Sequence, residues 1–243
     1  MYLRLATVFV VFAILEGAAR TGWFDPLTLV PPSEVGIRIV ELVISGEIRR
    51  HLVSTGSAVL ISFLLAALFG VPAGWLLWRL PQLHGSLGAV LSSYYAVPIF
   101  AFYPVLVTVL GFNLAPIIAI AWLWAVVGVL VNTTIGLMNI PTVLMDVAAS
   151  LRLTSRQRLF RVLLPGALPR ILTGLKLGAV YSLIGVVVSE FMLSTQGLGH
   201  MVWFNYDNFR SHDMYAYILA ISVLAILINS TLSRIEQATT ARS

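Results

Sequence analysis

"RLTSRQRLFRVLLPGALPRILTGLKLG", residues 152–178, interrupts an otherwise apolar chain. It opens as a basic, polar segment and closes as the start of an apolar run. Thr154 and Gln157 have capping-box spacing, in which the threonine accepts from a free backbone donor and the glutamine reaches back. Leu159, Val162 and Leu163 then form an apolar stripe, while Arg156, Arg158 and Arg161 stay in water. Pro165 is expected to end this helix, and Pro169 stands at the entrance to the next apolar run. Just upstream, "PTVLMDVAASLRL" (141–153) places Val143, Leu144, Val147 and Leu151 on one face of another short helix. Residues 139–169 therefore predict two short helices joined by a turn. Such a hairpin either lies on lipid headgroups with its arginines on phosphates, or is a docking knob for a soluble partner.

What flanks the hairpin is hydrophobic. The 243 residues are 59% hydrophobic and 10% charged, where a soluble domain carries about 25% charged residues, so a lipid bilayer is the expected solvent. Stretches of roughly 20 apolar residues are needed for a crossing. Residues 3–19, 55–77, 87–110, 115–138, 172–193 and 215–232 qualify as six spans. The expected fold is all-α, a polytopic membrane protein with one transmembrane domain over 1–243 and a hairpin between spans four and five. The first span has an alternative: Arg4, the apolar run 5–15 and Gly17-Ala18-Ala19 also fit a cleaved signal peptide, against which Glu16 stands. The absence of cysteine excludes disulfides, cysteine metal sites and thiol catalysis. The net charge of +5 reads as basic cytoplasmic loops and not as a nucleic-acid surface.

Arginine and lysine set the orientation. With both termini inside, the inner segments hold Arg4, Arg79, Arg152, Arg156, Arg158, Arg161, Arg170, Lys176, Arg234 and Arg242. The outer segments hold Arg20, Arg38, Arg49, Arg50 and Arg210. The outer stretch "PPSEVGIRIVELVISGEI" (31–48) reads as an amphipathic surface helix with Val35, Ile39, Leu42 and Val43 on its apolar stripe. The aromatic-rich "GLGHMVWFNYDNF" (197–209) suits a bilayer interface and an outer lip. No internal repeat is visible.

The hairpin resembles the cytoplasmic coupling loop of ABC-importer permeases, the binding-protein-dependent inner-membrane components. That loop runs Glu-Ala-Ala, three residues, Gly, then about a dozen residues to Leu-Pro. Counted back from Leu164-Pro165, the Glu position falls on Asp146, the Ala positions on Val147 and Ala148, and the Gly position on Arg152. "FRVLLPGALPRILTGLKLG" is close to the family's run into the next helix. "VVVSEF" (186–191), "GLG" (197–199), "LVPPSEV" (29–35) and "VPIFAFYPVLVTVLGF" (97–112) are similar to the branch that handles nitrate, taurine and sulfonates. The resemblance covers residues 29–235. It implies that Asp146, Val147, Ala148, Ala149, Leu151, Arg152, Leu153 and Thr154 meet a soluble ATPase. It further implies a bacterial inner-membrane location, a second copy of the permease, two ATPase subunits and an external binding protein. ATP and Mg would bind the ATPase, because no Gly-x-x-x-x-Gly-Lys-Ser/Thr loop occurs here. No cofactor or metal is expected in this chain. Two departures stand out. Asp146 shortens the carboxylate. Arg152 replaces a glycine that permits a tight turn, so either the turn differs, or it lies nearer Thr154-Ser155, or the docking geometry has changed.

Few polar groups fall inside the spans. Glu190 is the foremost, since a buried membrane charge faces a bundle interior or water; it is either a helix-to-helix tie or part of the pathway. Ser189 lies beside it. Asn132 suits interhelical bonding. Tyr94 and Tyr95, just before Pro98, stand where the family often has Arg-Pro, and either pack, shape a gate or favour an aromatic substrate. A secondary transporter would need more intramembrane ionisable groups than Glu190 and Lys176. An intramembrane enzyme would need a catalytic cluster, and His51, His84, His200 and His212 all fall near span ends or loops.

Overall fold

Inside lipid every backbone N–H and C=O must find a partner within the protein, and a helix provides one for nearly all of them. The computed structural model of the chain describes residues 2–22, 24, 25, 27–86, 93, 94 and 96–240. Among these the regular structure is helical throughout: α1 (Tyr2–Arg20), α2 (Pro32–Ile44), α3 (Glu47–Trp78), α4 (Tyr103–Leu110), α5 (Leu114–Met138), α6 (Thr142–Ser150), α7 (Ser155–Arg158), α8 (Leu164–Leu193), α9 (Leu198–Asp207) and α10 (Ser211–Thr240). Short 3₁₀ turns occupy Pro81–Ser86 and Ile99–Phe102. Four helical stretches are long and apolar enough to cross a membrane: Glu47–Trp78, Leu114–Met138, Ser155–Met192 and Ser211–Ala238. The apolar stretch Ile99–Leu110 is shorter. Residues 87–92 and Tyr95, the start of the expected third span, lie outside the described residues.

Pro165 does not end the second hairpin helix, contrary to the sequence expectation. The backbone runs helically from Ser155 into α8, through a π-turn over Leu159–Leu163. Proline has no N–H, and its ring crowds the carbonyl four residues back. The widened turn just ahead of it, in which the Leu164 N–H reaches the Leu159 carbonyl, accommodates that ring without breaking the helix. The second hairpin helix and the fifth apolar run are therefore one continuous helical rod, Ser155–Met192.

The described residues form two units. The first comprises residues 1–56 and 187–224, around Leu42, Ile48, Leu198, Ala216, Tyr217 and Ala220. In α2, Val35 and Leu42 are buried and Ile39 packs on the core, but Val43 is exposed. The buried stripe is narrower than expected because Val43 sits about 100° round the helix from Leu42. The residue before α2, Pro31, has no side chain that can cap. Glu16 of α1 does it instead, accepting from the Ser33 N–H at 3.0 Å and its hydroxyl at 2.7 Å. Arg38 bonds Asp213 of α10, and Glu41 at 2.8 Å, and these two carboxylates raise its pKa further.

The second unit comprises residues 57–186 and 225–243. Its centre is α5, whose Ala125 and Val129 pack with Ala66 of α3. Glycines bring the backbones together. A Cβ on Gly74 would lie 2.6 Å from the Leu130 carbonyl, and one on Gly185 would lie 2.7 Å from the Ala121 Cα. Small residues at such crossings are how membrane helices approach closely. A further cluster joins Leu137, Ile140, Leu163, Ala167 and Ile171, with Met145 and Leu159 against it. Hairpin residues thus pack on the same core as α5 and α8. Near the end of α10, Glu236 accepts from the Thr173 hydroxyl at 3.0 Å and pairs with Lys176 at 3.6 Å.

Candidate functional site

The hairpin turn is built from backbone upward. At the end of α6 the Leu153 N–H bonds the Ala148 carbonyl at 3.1 Å, and the Arg152 N–H bonds the Ala149 carbonyl at 2.9 Å. That pair of bonds is a Schellman motif, whose first residue past the cap takes a left-handed conformation and is usually glycine. Here it is Arg152, with φ +46°. An L side chain in that conformation costs roughly 1–2 kcal/mol. The chain then enters α7 through a complete capping box: Gln157 N–H to Thr154 Oγ1 at 3.3 Å, and Thr154 N–H to Gln157 Oε1 at 2.9 Å.

Burial around the turn is inverted relative to a core helix. Ala148 is buried and Leu153 half-buried. The large apolar residues face out: Val143 is 66% exposed, Leu144 44%, Val147 49% and Leu151 67%. Asp146, Ala149, Arg152 and Thr154 are exposed beside them. The periodicity of 141–153 therefore marks an outward apolar face. Of α6 only Ala148 is fully buried.

Glu190 lies in the first unit and is fully buried. Both its oxygens lie 2.9 Å from the Thr55 hydroxyl of α3, and Oε2 also accepts from the Gly199 N–H at 3.0 Å. Thr55 Oγ1 in turn accepts from the Leu198 N–H at 2.8 Å. The His51 ring nitrogen Nδ1 accepts from the Gly197 N–H at 3.2 Å. Three successive backbone donors at the start of α9 are thus taken by His51, Thr55 and Glu190. These groups replace the cap that Gly197 cannot supply. A carboxylate there also meets the positive end of the helix dipole. Gly197 has φ +111°, and a Cβ on it would lie 2.2 Å from the Glu190 carboxyl carbon. Glycine is required on both counts.

The other sequence candidates are dispersed. Tyr94 is half-buried and donates to the Leu123 carbonyl at 2.5 Å. Tyr95 lies outside the described residues. Pro98 is exposed and precedes the Ile99–Phe102 turn. The Asn132 amide donates to the Gly128 carbonyl of its own helix at 2.9 Å, and its Cβ would be 2.7 Å from one placed on Gly174. Ser189 is buried, and its hydroxyl has no partner among the described residues. Thr55 and His51, which hold α9, are not singled out by sequence pattern. The sequence clue is indirect: two glycines, 197 and 199, shortly after a glutamate inside an apolar run.

The architecture defines a class first. The chain shares its fold with a chain of the inward-facing MetNI methionine ABC transporter, at a TM-score of 0.68 and 20% identity, over 79% of this chain and 95% of that one. Residues 66–242 match the binding-protein-dependent transport system inner membrane component family, and the chain belongs to it. It is similar to the taurine transport system permease protein TauC of Escherichia coli, 27% identical over 97% of this chain and 87% of that protein. It is also similar to the aliphatic sulfonates transport permease SsuC of Bacillus subtilis, 28% identical over 94% and 83% of the two. The nitrate import permease NrtB of Synechocystis is 24% identical over 73% and 65%.

Proposed function

We propose that the chain is the permease subunit of an ATP-driven importer, forming with a second copy of itself the pathway for a small solute delivered by an external binding protein. The observation that carries this is the outward apolar face formed by Val143, Leu144 and Val147 of α6 and by Leu151 at its end, set beside a turn capped on both sides. An apolar patch of that kind marks an interaction site. The family makes the occupant a soluble ATPase that hydrolyses ATP with Mg. The continuous rod from Ser155 to Met192 supports the same reading, because a push on the hairpin would pass into the span without a hinge at Pro165.

In this reading the chain crosses an inner membrane six times, over 3–19, 55–77, 87–110, 115–138, 172–193 and 215–232, with both termini in the cytoplasm. Residues 146–149 and 151–154 form the ATPase contact. Glu190 ties span five to span two and to α9. The solute is a small anion of the sulfonate or nitrate type, or taurine, whose sulfonate is balanced by an ammonium group, as the names of the relatives support; an aromatic compound is the second candidate. The test is reconstitution of the chain with its ATPase and binding protein in proteoliposomes. ATP-dependent uptake of such a solute supports the reading. Uptake driven by an ion gradient without ATP contradicts it.

A further inference from the structure

The first hydrogen bond of α9 is made to a side chain whose charge changes near neutral pH. Gly197 is buried, and its N–H donates to His51 Nδ1 at 3.2 Å. A ring nitrogen accepts only when it carries no proton, so this bond requires the neutral imidazole with its hydrogen on Nε2. The next two donors of α9 have acceptors of another kind. The Leu198 N–H meets the Thr55 hydroxyl at 2.8 Å, and the Gly199 N–H meets Glu190 Oε2 at 3.0 Å. A hydroxyl accepts at any ordinary pH, and a carboxyl group that gains a proton keeps a carbonyl oxygen to offer. A protonated imidazole offers neither, because both of its nitrogens are then donors.

The surroundings make that exchange costly. A proton on Nδ1 would set one donor against another and leave the buried Gly197 N–H without an acceptor. The added charge would also face the positive end of the α9 dipole. The ring is seated against the fully buried Tyr217 of α10, edge-on, with centroids 6.2 Å apart. Arg50 and Glu47 of α3 and His200 of α9 are the other charged or titratable groups that act on it. Glu190 of α8 approaches Gly197 itself. We infer that His51 is a proton-released fastener of α9: the neutral ring ties the helix start to α3, and the protonated ring lets it go, while Thr55 and Glu190 keep the two donors that follow. Because only the neutral ring makes the bond, the fastening is complete above the ordinary histidine value and is lost as pH falls below about 6.5. In the importer reading α9 belongs to the outer lip, so acid on that side loosens the lip. The importer reading supplies only that consequence; the fastener stands on the geometry of α3 and α9.

The measurement is hydrogen exchange at the Gly197 amide, followed by NMR on the full chain in nanodiscs, isotope-labelled in glycine and histidine. Between neutral pH and about pH 5, protection of Gly197 should fall about tenfold after correction for the intrinsic pH dependence of exchange. Gly199, held by Glu190, should change far less. His51→Asn places an amide oxygen where Nδ1 stands, an acceptor that does not titrate, and should abolish the pH dependence. His200→Asn and Glu190→Gln should retain it. Protection of Gly197 that is unchanged by pH in the unsubstituted chain, or a pH dependence that survives His51→Asn, overturns the proposal. So does a pH dependence that disappears in His200→Asn or Glu190→Gln, since the switch would then lie in that residue. If His51→Asn leaves Gly197 unprotected at every pH, the ring of the unsubstituted chain decides. Titration of the His51 ring in step with the loss at Gly197 supports the fastener, and a midpoint well apart from it overturns it. These readouts need neither ATPase nor binding protein, so they report on His51 even where the uptake test of the importer reading fails.

Discussion

Replacing Glu190 separates its charge from its hydrogen bonds. In Glu190→Ala the Gly199 N–H loses its acceptor at 3.0 Å, and the Thr55 hydroxyl loses the carboxylate at 2.9 Å. Each buried donor left without a partner costs about 1–3 kcal/mol. The loss sums to roughly 2–6 kcal/mol. In Glu190→Gln the amide oxygen can occupy the Oε2 position and keep both donors, while the NH₂ turns to a free lone pair of Thr55 Oγ1. Only charge assistance is lost, about 1 kcal/mol, and the desolvation of a buried carboxylate is relieved at the same time. The assay is thermal stability of the detergent-solubilised chain, followed by size-exclusion fluorescence. At roughly 2–4 °C per kcal/mol for a chain of this size, Glu190→Ala should fall on the order of 10 °C and Glu190→Gln by a few degrees at most. Glu190→Gln should also assemble and transport almost normally. Equal midpoints for Ala and Gln would refute the hydrogen-bond account. An assembled Glu190→Gln complex that cannot transport would show that the charge belongs to the pathway.

Gly197→Ala should destabilise the chain strongly, because its Cβ would meet the Glu190 carboxyl carbon at 2.2 Å. A thermal-stability cycle with Glu190→Ala should show pronounced non-additivity, since the second substitution removes the clashing group. Arg152→Gly should raise stability by about 1 kcal/mol through relief of left-handed strain. Its ATPase association should be unchanged; a sharp loss would show that the guanidinium itself makes the contact. Deleting 146–155 should leave a membrane-inserted chain that no longer retains the ATPase, as read by affinity co-purification.

Much of the hairpin was legible in sequence because its signals are local. The Thr154–Gln157 box needs four residues; the turn position at Arg152 comes only from the family's loop pattern counted back from Leu164-Pro165, which leaves Thr154-Ser155 open as an alternative. The continuous helix through Pro165 was not legible. Proline normally signals a stop, and nothing in the residue string announces a π-turn. The direction of the α6 stripe was hidden for a different reason. Periodicity says that Val143, Leu144, Val147 and Leu151 share a face, but not whether this chain covers that face. The Glu190 node lay further out of reach. Thr55 is 135 residues away from Glu190. Both act on a helix start whose own residues, Gly197 and Leu198, carry no polar side chain.

The central claim is that the α6 face holds a soluble ATPase, and co-purification from native membranes tests it most directly. Val147→Asp and Leu151→Asp place a charge on residues that are already exposed, so the chain should insert and elute as the unsubstituted form does. The account predicts that the unsubstituted chain retains a P-loop ATPase in equimolar amount and that both variants lose it. Undiminished ATPase on both variants, or none on the unsubstituted chain, would contradict it.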